Sequence, residues 1–170
     1  MDFLNRRSIR KYSTQTIEKE KIQEIMKTAV LSPSGHNGRP YEFIVIDNKD
    51  LIKKLAFSKV SGGQFAVEAP LMILVLGKKD SYPTMEDDCA IASTIIQLKA
   101  HDLGLGSCWI QIKNKVNEEG TSTIEIIRNL LSIPDLYHIN NLISLGYPAE
   151  ERKAYEDKDA NMELVHYNKF

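Results

Sequence analysis

Arg6-Arg7-Ser8-Ile9-Arg10-Lys11 places four cations and a hydroxyl within six residues, and no acid occurs from Phe3 to Ile17. A guanidinium offers a planar fork that grips phosphate through two parallel charge-assisted hydrogen bonds, and an ammonium adds a point charge. The chemistry such a run suits is the capture of a small anion, phosphate foremost; the competing reading is a solvated basic turn, the common fate of a charge run. A second segment, Ser32-Pro33-Ser34-Gly35-His36-Asn37-Gly38-Arg39-Pro40-Tyr41, mixes backbone-flexible residues with hydroxyl and amide side chains. Glycine permits close backbone approach, and the Asn37 amide donates and accepts at once, which suits the edge of a planar heteroaromatic ligand. The same composition also builds ordinary turns.

Other chemistries find little support. Gly104-Leu105-Gly106 follows a helical pattern and leads into a strand, the reverse of the order a dinucleotide-binding turn requires. There is no Gly-x-Ser-x-Gly elbow and no phosphate loop ending in Gly-Lys-Ser/Thr. The four histidines, at 36, 101, 138 and 166, stand far apart and in no ligand spacing, so no metal site is expected. Cys89 and Cys108 fall in apolar patterns and read as inert core thiols. Glu86, Asp87 and Asp88 open a helix, where acids complement the positive end of its dipole. A net charge of −1 makes the basic run local and disfavours long polyanions as partners. The start Met1–Asn5 has no apolar signal core, and the cysteines lack a Cys-x-x-Cys spacing, so a reducing cytoplasm is the expected location.

The elements that must position these residues follow from periodicity. The 170 residues, 42% hydrophobic and 26% charged, suit one domain over 1–170 with a C-terminal arm at 149–170. Ile22, Ile25, Met26, Ala29 and Val30 mark an amphipathic helix with Thr16 as its N-cap. Phe43–Ile46 reads as a buried strand, Leu51–Phe57 as a short helix, and the unbroken apolar run Leu71–Leu76 as a central strand covered on both faces. From Thr84 to Leu103 apolar residues surround most of a long helix, predicting extensive burial and a partner subunit to complete it; Gly104 caps its end. Ser107–Ile112 alternates as a strand, Ser122 and Glu125 suggest a capping box for a helix to Leu131, and Leu142–Leu145 gives a last strand. The arm ends in Leu164, Val165, Tyr167 and Phe170, which need burial either on their own domain or across a dimer interface; a frayed terminus is the alternative.

In order along the chain, Arg-Arg-Ser-x-Arg at 6–10, Pro-Ser-x-x-Asn-x-Arg-Pro-Tyr at 33–41, Ala-Pro plus a hydrophobic strand at 69–76, a helix leading to Gly-Leu-Gly-x-x-Trp at 104–109, and Gly-Tyr-Pro at 146–148 resemble the FMN-dependent nitroreductase family. The resemblance covers essentially the whole chain. It implies an α+β homodimer, with a central antiparallel sheet flanked by helices, the C-terminal arm exchanged, and FMN in clefts between subunits. By position it implies that Arg6, Arg7, Ser8 and Arg10 bind the flavin, phosphate and ribityl foremost, and that Arg152 or Lys153 completes the phosphate site. Ser34, Gly35, Asn37 and Arg39 would line the flavin from the other subunit, and Trp109, Ile110 and Gln111 would lie beside the ring.

Two positions depart from the family pattern: Arg39 replaces the usual Gln and Tyr41 the usual Trp. A guanidinium cannot accept a hydrogen bond, so Arg39 either donates toward the ring or turns to solvent. The implied activity is hydride transfer from NADH or NADPH to flavin N5. A nitroaromatic, quinone or similar small acceptor then takes the electrons, by a ping-pong sequence that needs no acid–base dyad of the protein. A non-catalytic flavin store is the alternative, and a phosphate-ligand sensor that never binds flavin is a more distant one.

Overall fold

The apolar run beginning at Leu71 is an inner strand of a four-stranded antiparallel sheet in the computed structural model, which describes residues 3–170. Met1 and Asp2, read above as part of a start without a signal core, lie outside the described residues. The strands are β1 (Tyr41–Ile46), β2 (Leu71–Lys78), β3 (Gly106–Gln111) and β4 (Tyr137–Gly146), in spatial order β1-β2-β4-β3. Successive side chains of a strand point to opposite faces. Ile73, Val75, Ile143 and Leu145 therefore meet α1 (Lys19–Val30) and α3 (Met85–Asp102) through Ile25, Ala29, Ala92, Ile96 and Ala100. On the other face, Met72, Leu74, Ile110 and Leu142 meet α2 (Lys49–Ala56) and α4 (Thr123–Leu130) through Ile52, Leu55 and Ile127. Both faces are covered, which is why β2 reads as an unbroken apolar run; each such side chain contributes about 1.5–3 kcal/mol by leaving water.

The element boundaries differ from the sequence pattern where polar groups decide them. The N-cap of α1 is Glu18, not Thr16, and no side chain caps it. Ser122 does cap α4 in position, but its side chain makes no capping bond, so the expected capping box does not form. Asn48 does cap with its side chain, its Oδ1 accepting from the Leu51 amide at 3.0 Å at the start of α2. Strand β4 begins at Tyr137, five residues before the apolar pattern does. Its buried Asn141 is polar yet satisfied: Oδ1 accepts from the Ser93 hydroxyl of α3 at 2.9 Å, beside an irregularity in pairing between Val75 and Leu76. The long helix α3 is buried along one stripe only. Ile91 is 39% exposed, and Ile95 and Leu98, one and two turns on, are half-buried.

Before α1, the chain runs along the outer side of β3. Ser8 bridges Ser107 in parallel, the Ile9 amide donates to the Ser107 carbonyl at 3.0 Å, and Tyr12 bridges Pro148 beyond β4. Gly106 makes this approach possible, since a Cβ there would lie 2.7 Å from that of Ile9. Gly106→Ala should lower stability by about 1–3 kcal/mol in urea unfolding, by pushing the Ser8–Ile9 segment off β3; unchanged stability would show that the segment is held elsewhere.

Candidate functional site

Four half-buried or exposed cations converge where the N-terminal segment crosses the end of β3. Arg6, Arg7, Ser8, Arg10, Arg152 and Tyr155 line a cleft of about 200 Å3, and among the described residues no carboxylate contributes to its lining. Tertiary pairing rather than local structure gathers them. The Ala149 amide donates to the Lys11 carbonyl at 2.9 Å and the Tyr155 amide to the Leu4 carbonyl at 2.9 Å, so the chain after β4 lies against residues 4–11. Arg7 donates to the Lys153 carbonyl and its guanidinium stacks over the Tyr155 ring, 4.2 Å from the centroid. Arg10 lies 5.8 Å from the Phe65 centroid.

Of the two candidate cations after Gly146-Tyr147-Pro148, Arg152 lines the cleft, whereas the Lys153 ammonium pairs with Glu156. Sequence reasoning missed Glu150. Its Oε1 accepts from the backbone amides of Arg10 at 2.5 Å and Lys11 at 3.1 Å, and its Oε2 sits 3.1 Å from Arg152. These contacts, the Arg10 amide first, hold its pKa below the ordinary value of 4.5. Tyr155 was missed too, because an aromatic residue in a charged arm carries no periodic signal. A donor set of guanidiniums and a hydroxyl, with the nearby carboxylate already engaged, fits a phosphate dianion.

Further along β3, Trp109 is half-buried, Ile110 points into the core, and Gln111 is exposed, its Oε1 accepting from the Ile112 amide at 3.0 Å. Because the Ser107 carbonyl faces outward to Ile9, strand alternation turns the main-chain groups of Trp109 and Gln111 to the same outer side. No strand pairs with them there among the described residues. From Ser107 to Gln111 this open edge rises roughly 13 Å.

The second segment lies elsewhere. Gly35–Asn37 forms a 3-10 turn, and His36, Asn37 and Arg39 all take the left-handed backbone region, with φ of 51°, 55° and 46°. Non-glycine residues there store strain, which is held only where surroundings over-determine it. Here Asp88 does so: buried at the start of α3, it accepts from the Gly35 amide at 2.9 Å and from the Thr84 hydroxyl at 3.0 Å. The dipole role read from sequence misses this contact. Ser34 accepts from the Arg39 amide at 2.9 Å, and Arg39 Nε donates to Asn37 Oδ1 at 3.1 Å, leaving the exposed guanidinium beside an amide.

The register separates the two segments. Tyr41 aligns with Gly77 and His138, while Ser107 aligns with Leu145 across the sheet, a diagonal of roughly 28 Å by ordinary strand spacings. One chain therefore does not bring Ser34, Gly35, Asn37 and Arg39 to the basic cleft.

Fold and site together define an α+β protein with an arginine-lined cleft at one end of an open strand edge. The chain belongs to the nitroreductase family, whose model matches residues 4–61 and 57–147. It is 34% identical over 170 residues to an Archaeoglobus fulgidus protein assigned as an NADH dehydrogenase/NAD(P)H nitroreductase, covering 97% of this chain and 94% of that one. A Methanothermobacter thermautotrophicus protein assigned the same way is 36% identical over 148 residues, covering 85% of this chain and 74% of its own length. Among solved structures, an FMN-dependent nitroreductase from Clostridium difficile R20291 superposes with a TM-score of 0.95 at 42% identity, covering 98% of this chain and 97% of that one.

Both cysteines are buried and free. Burial pushes the Cys89 thiol up to about 12 and raises that of Cys108, so neither is expected to react with iodoacetamide in the native protein near neutral pH. Labelling before unfolding would contradict this. Glu150, with a depressed pKa, contributes stability that is present above its ordinary 4.5 and lost as pH falls through its lower folded value. Glu150→Gln should flatten the acid limb of a stability–pH profile below that point and leave its shape unchanged above pH 6; an unaltered acid limb would exclude the linkage.

Proposed function

We propose that the chain is an NAD(P)H-dependent oxidoreductase that holds FMN, with the phosphate in the Arg6–Arg7–Ser8–Arg10–Arg152 cleft and the ring beside Trp109, Ile110 and Gln111. The observation that carries this is the alignment of the arginine-lined cleft with the open edge of β3. A phosphate anchored at the Ser107 end leaves the roughly 13 Å run to Gln111 for the ribityl chain and ring. When bound, FMN would supply two-electron exchange between NADH or NADPH and a nitroaromatic, quinone or similar small acceptor.

The protein's own part is to bind, orient and shield. Arg6, Arg7, Arg10 and Arg152 neutralise the phosphate, and Ser8 supplies a hydroxyl to it or to the ribityl chain. The outward main-chain groups of Trp109 and the Gln111 amide meet the ring edge, where a planar ligand satisfies groups that a further strand would otherwise pair. The buried side chain of Ile110 keeps that stretch seated on the core; its contribution to the ligand is through the backbone.

The ring's remaining cover comes from a second copy. Ser34, Gly35, Asn37 and Arg39 are too distant to reach the same ligand within one chain, yet their strained turn is built to hold a fixed shape. Two apolar surfaces support a homodimer. One is the Ile91–Ile95–Leu98 stripe on α3; the other is the arm, where Leu164 is 77% and Tyr167 80% exposed. An exchanged arm would bury the second surface.

Anaerobic titration of the FMN-reconstituted protein with NADH or NADPH tests the reading. Bleaching of the flavin absorbance and its return on adding a quinone are expected; failure of both nicotinamides to bleach would refute it. Arg152→Ala should weaken FMN binding about tenfold to a hundredfold, the worth of one charge-assisted contact, measured by fluorescence titration. Ile91→Glu with Leu98→Glu should convert a dimer in sedimentation to a species of 19.3 kDa and release FMN; a dimer that survives would place the interface elsewhere.

A further inference from the structure

Lys59 follows α2 and is only 7% exposed. Its stem is enclosed by Gly63, where a Cβ would lie 3.2 Å from the Lys59 Cγ, and its carbonyl accepts from the Gln64 amide side chain at 2.9 Å. Neighbouring residues tie the same stretch to the chain after β3: the Thr123 hydroxyl donates to the Ser58 carbonyl at 2.9 Å, and the Val60 amide to the Val116 carbonyl at 3.0 Å. Within this enclosure the ammonium donates to the Gln111 carbonyl at 2.7 Å. The charged group acting on it is Lys115, of like sign, and burial foremost lowers its pKa.

A buried ammonium facing one neutral carbonyl is an expensive way to fill space. Burial strips part of its hydration and, among the described residues, no carboxylate pairs with it, while the carbonyl takes one of its three donors. An apolar side chain of the same length would pack there at no such penalty. The carbonyl it grips is one of the outward groups on the open edge of β3, at the end away from the phosphate cleft.

We infer that Lys59 is a positioning residue of this site, fixing the Gln111 peptide against the ring and holding a positive charge where the ligand becomes electron-rich. The inference rests on FMN lying along β3 as proposed above. The charge favours the reduced over the oxidised ligand, raising its potential, while the bond to the Gln111 carbonyl sets the direction of that peptide.

The test uses the full chain with Lys59→Met and Lys59→Arg, purified with and without FMN. In the Met variant the apo-protein should melt at the wild-type temperature or about 2–4 °C higher, since an uncompensated charge has been removed. Its bound FMN should show a more negative midpoint potential and be reduced by nicotinamide about tenfold more slowly, as expected when a fixed ring contact is loosened. Lys59→Arg keeps the charge and should restore most of the potential. A Met variant with wild-type potential and reduction rate would overturn the inference, as would a fall in apo melting temperature accompanied by loss of FMN uptake, which marks a packing residue. Wild-type protein that takes up no FMN would instead refute the reading of the cleft itself.

Discussion

The pairing of residues 8–12 with the end of β3 is the constraint on which the site depends. Three arginines and a lysine in six residues repel one another, and nothing local holds them together. The Ser8–Ser107 bridge fixes one end of the run, and Tyr12 fixes the other. The Tyr12 hydroxyl lies 2.6 Å from the Ile9 carbonyl, to which it donates, and 2.7 Å from Ser144 Oγ. Burial of that phenol raises its pKa, so it stays a neutral hydrogen-bonding group at any physiological pH. Glu150 closes the arrangement by taking two backbone amides and offsetting part of the positive charge. What remains is a cleft whose uncompensated field points to solvent, the condition for drawing in an anion.

An edge strand is ordinarily a liability, because its unpaired main-chain groups invite pairing with another chain. On β3 the N-terminal segment blocks one end and Lys59 occupies the carbonyl at the other. The stretch between is short and flanked by charge, so a flat ligand suits it better than a strand. A buried lysine, left-handed backbone at His36, Asn37 and Arg39, and exposed apolar residues along α3 each lower the stability of an isolated chain. Features of this kind concentrate at binding surfaces, where ligand or partner relieves them.

Much of the architecture was legible in the residues. Continuous apolar character at Leu71–Leu76 specified a strand covered on both sides, and Gly104, with φ of 77°, closes α3 where a residue without a Cβ is favoured. Boundaries set by polar side chains were not legible. Whether Thr16 or Ser122 caps a helix depends on where the chain approaches from, and β4 includes Asn141 because Ser93 on another element satisfies it. The breadth of apolar residues on α3 reported a surface to be covered, and the structure shows that the chain's own elements cover only part of it.

For the site, the sequence by itself supplied the donor chemistry: a dense cluster of guanidiniums suits a phosphate, because charge and fork geometry belong to the side chains. The order of motifs determined the family. Only the tertiary structure decided which groups act together. It put Arg152 in the cleft lining and the Lys153 ammonium on Glu156, brought Glu150 and Tyr155 beside them, aimed Lys59 at Gln111, and set Tyr41, after the glycine-containing turn, roughly 28 Å from Ser107 beside the cations. The physical reason is that contacts between residues far apart in the chain follow from strand order and register. Those are settled by how both faces of the sheet bury their side chains, a property of the packed whole that no local pattern contains.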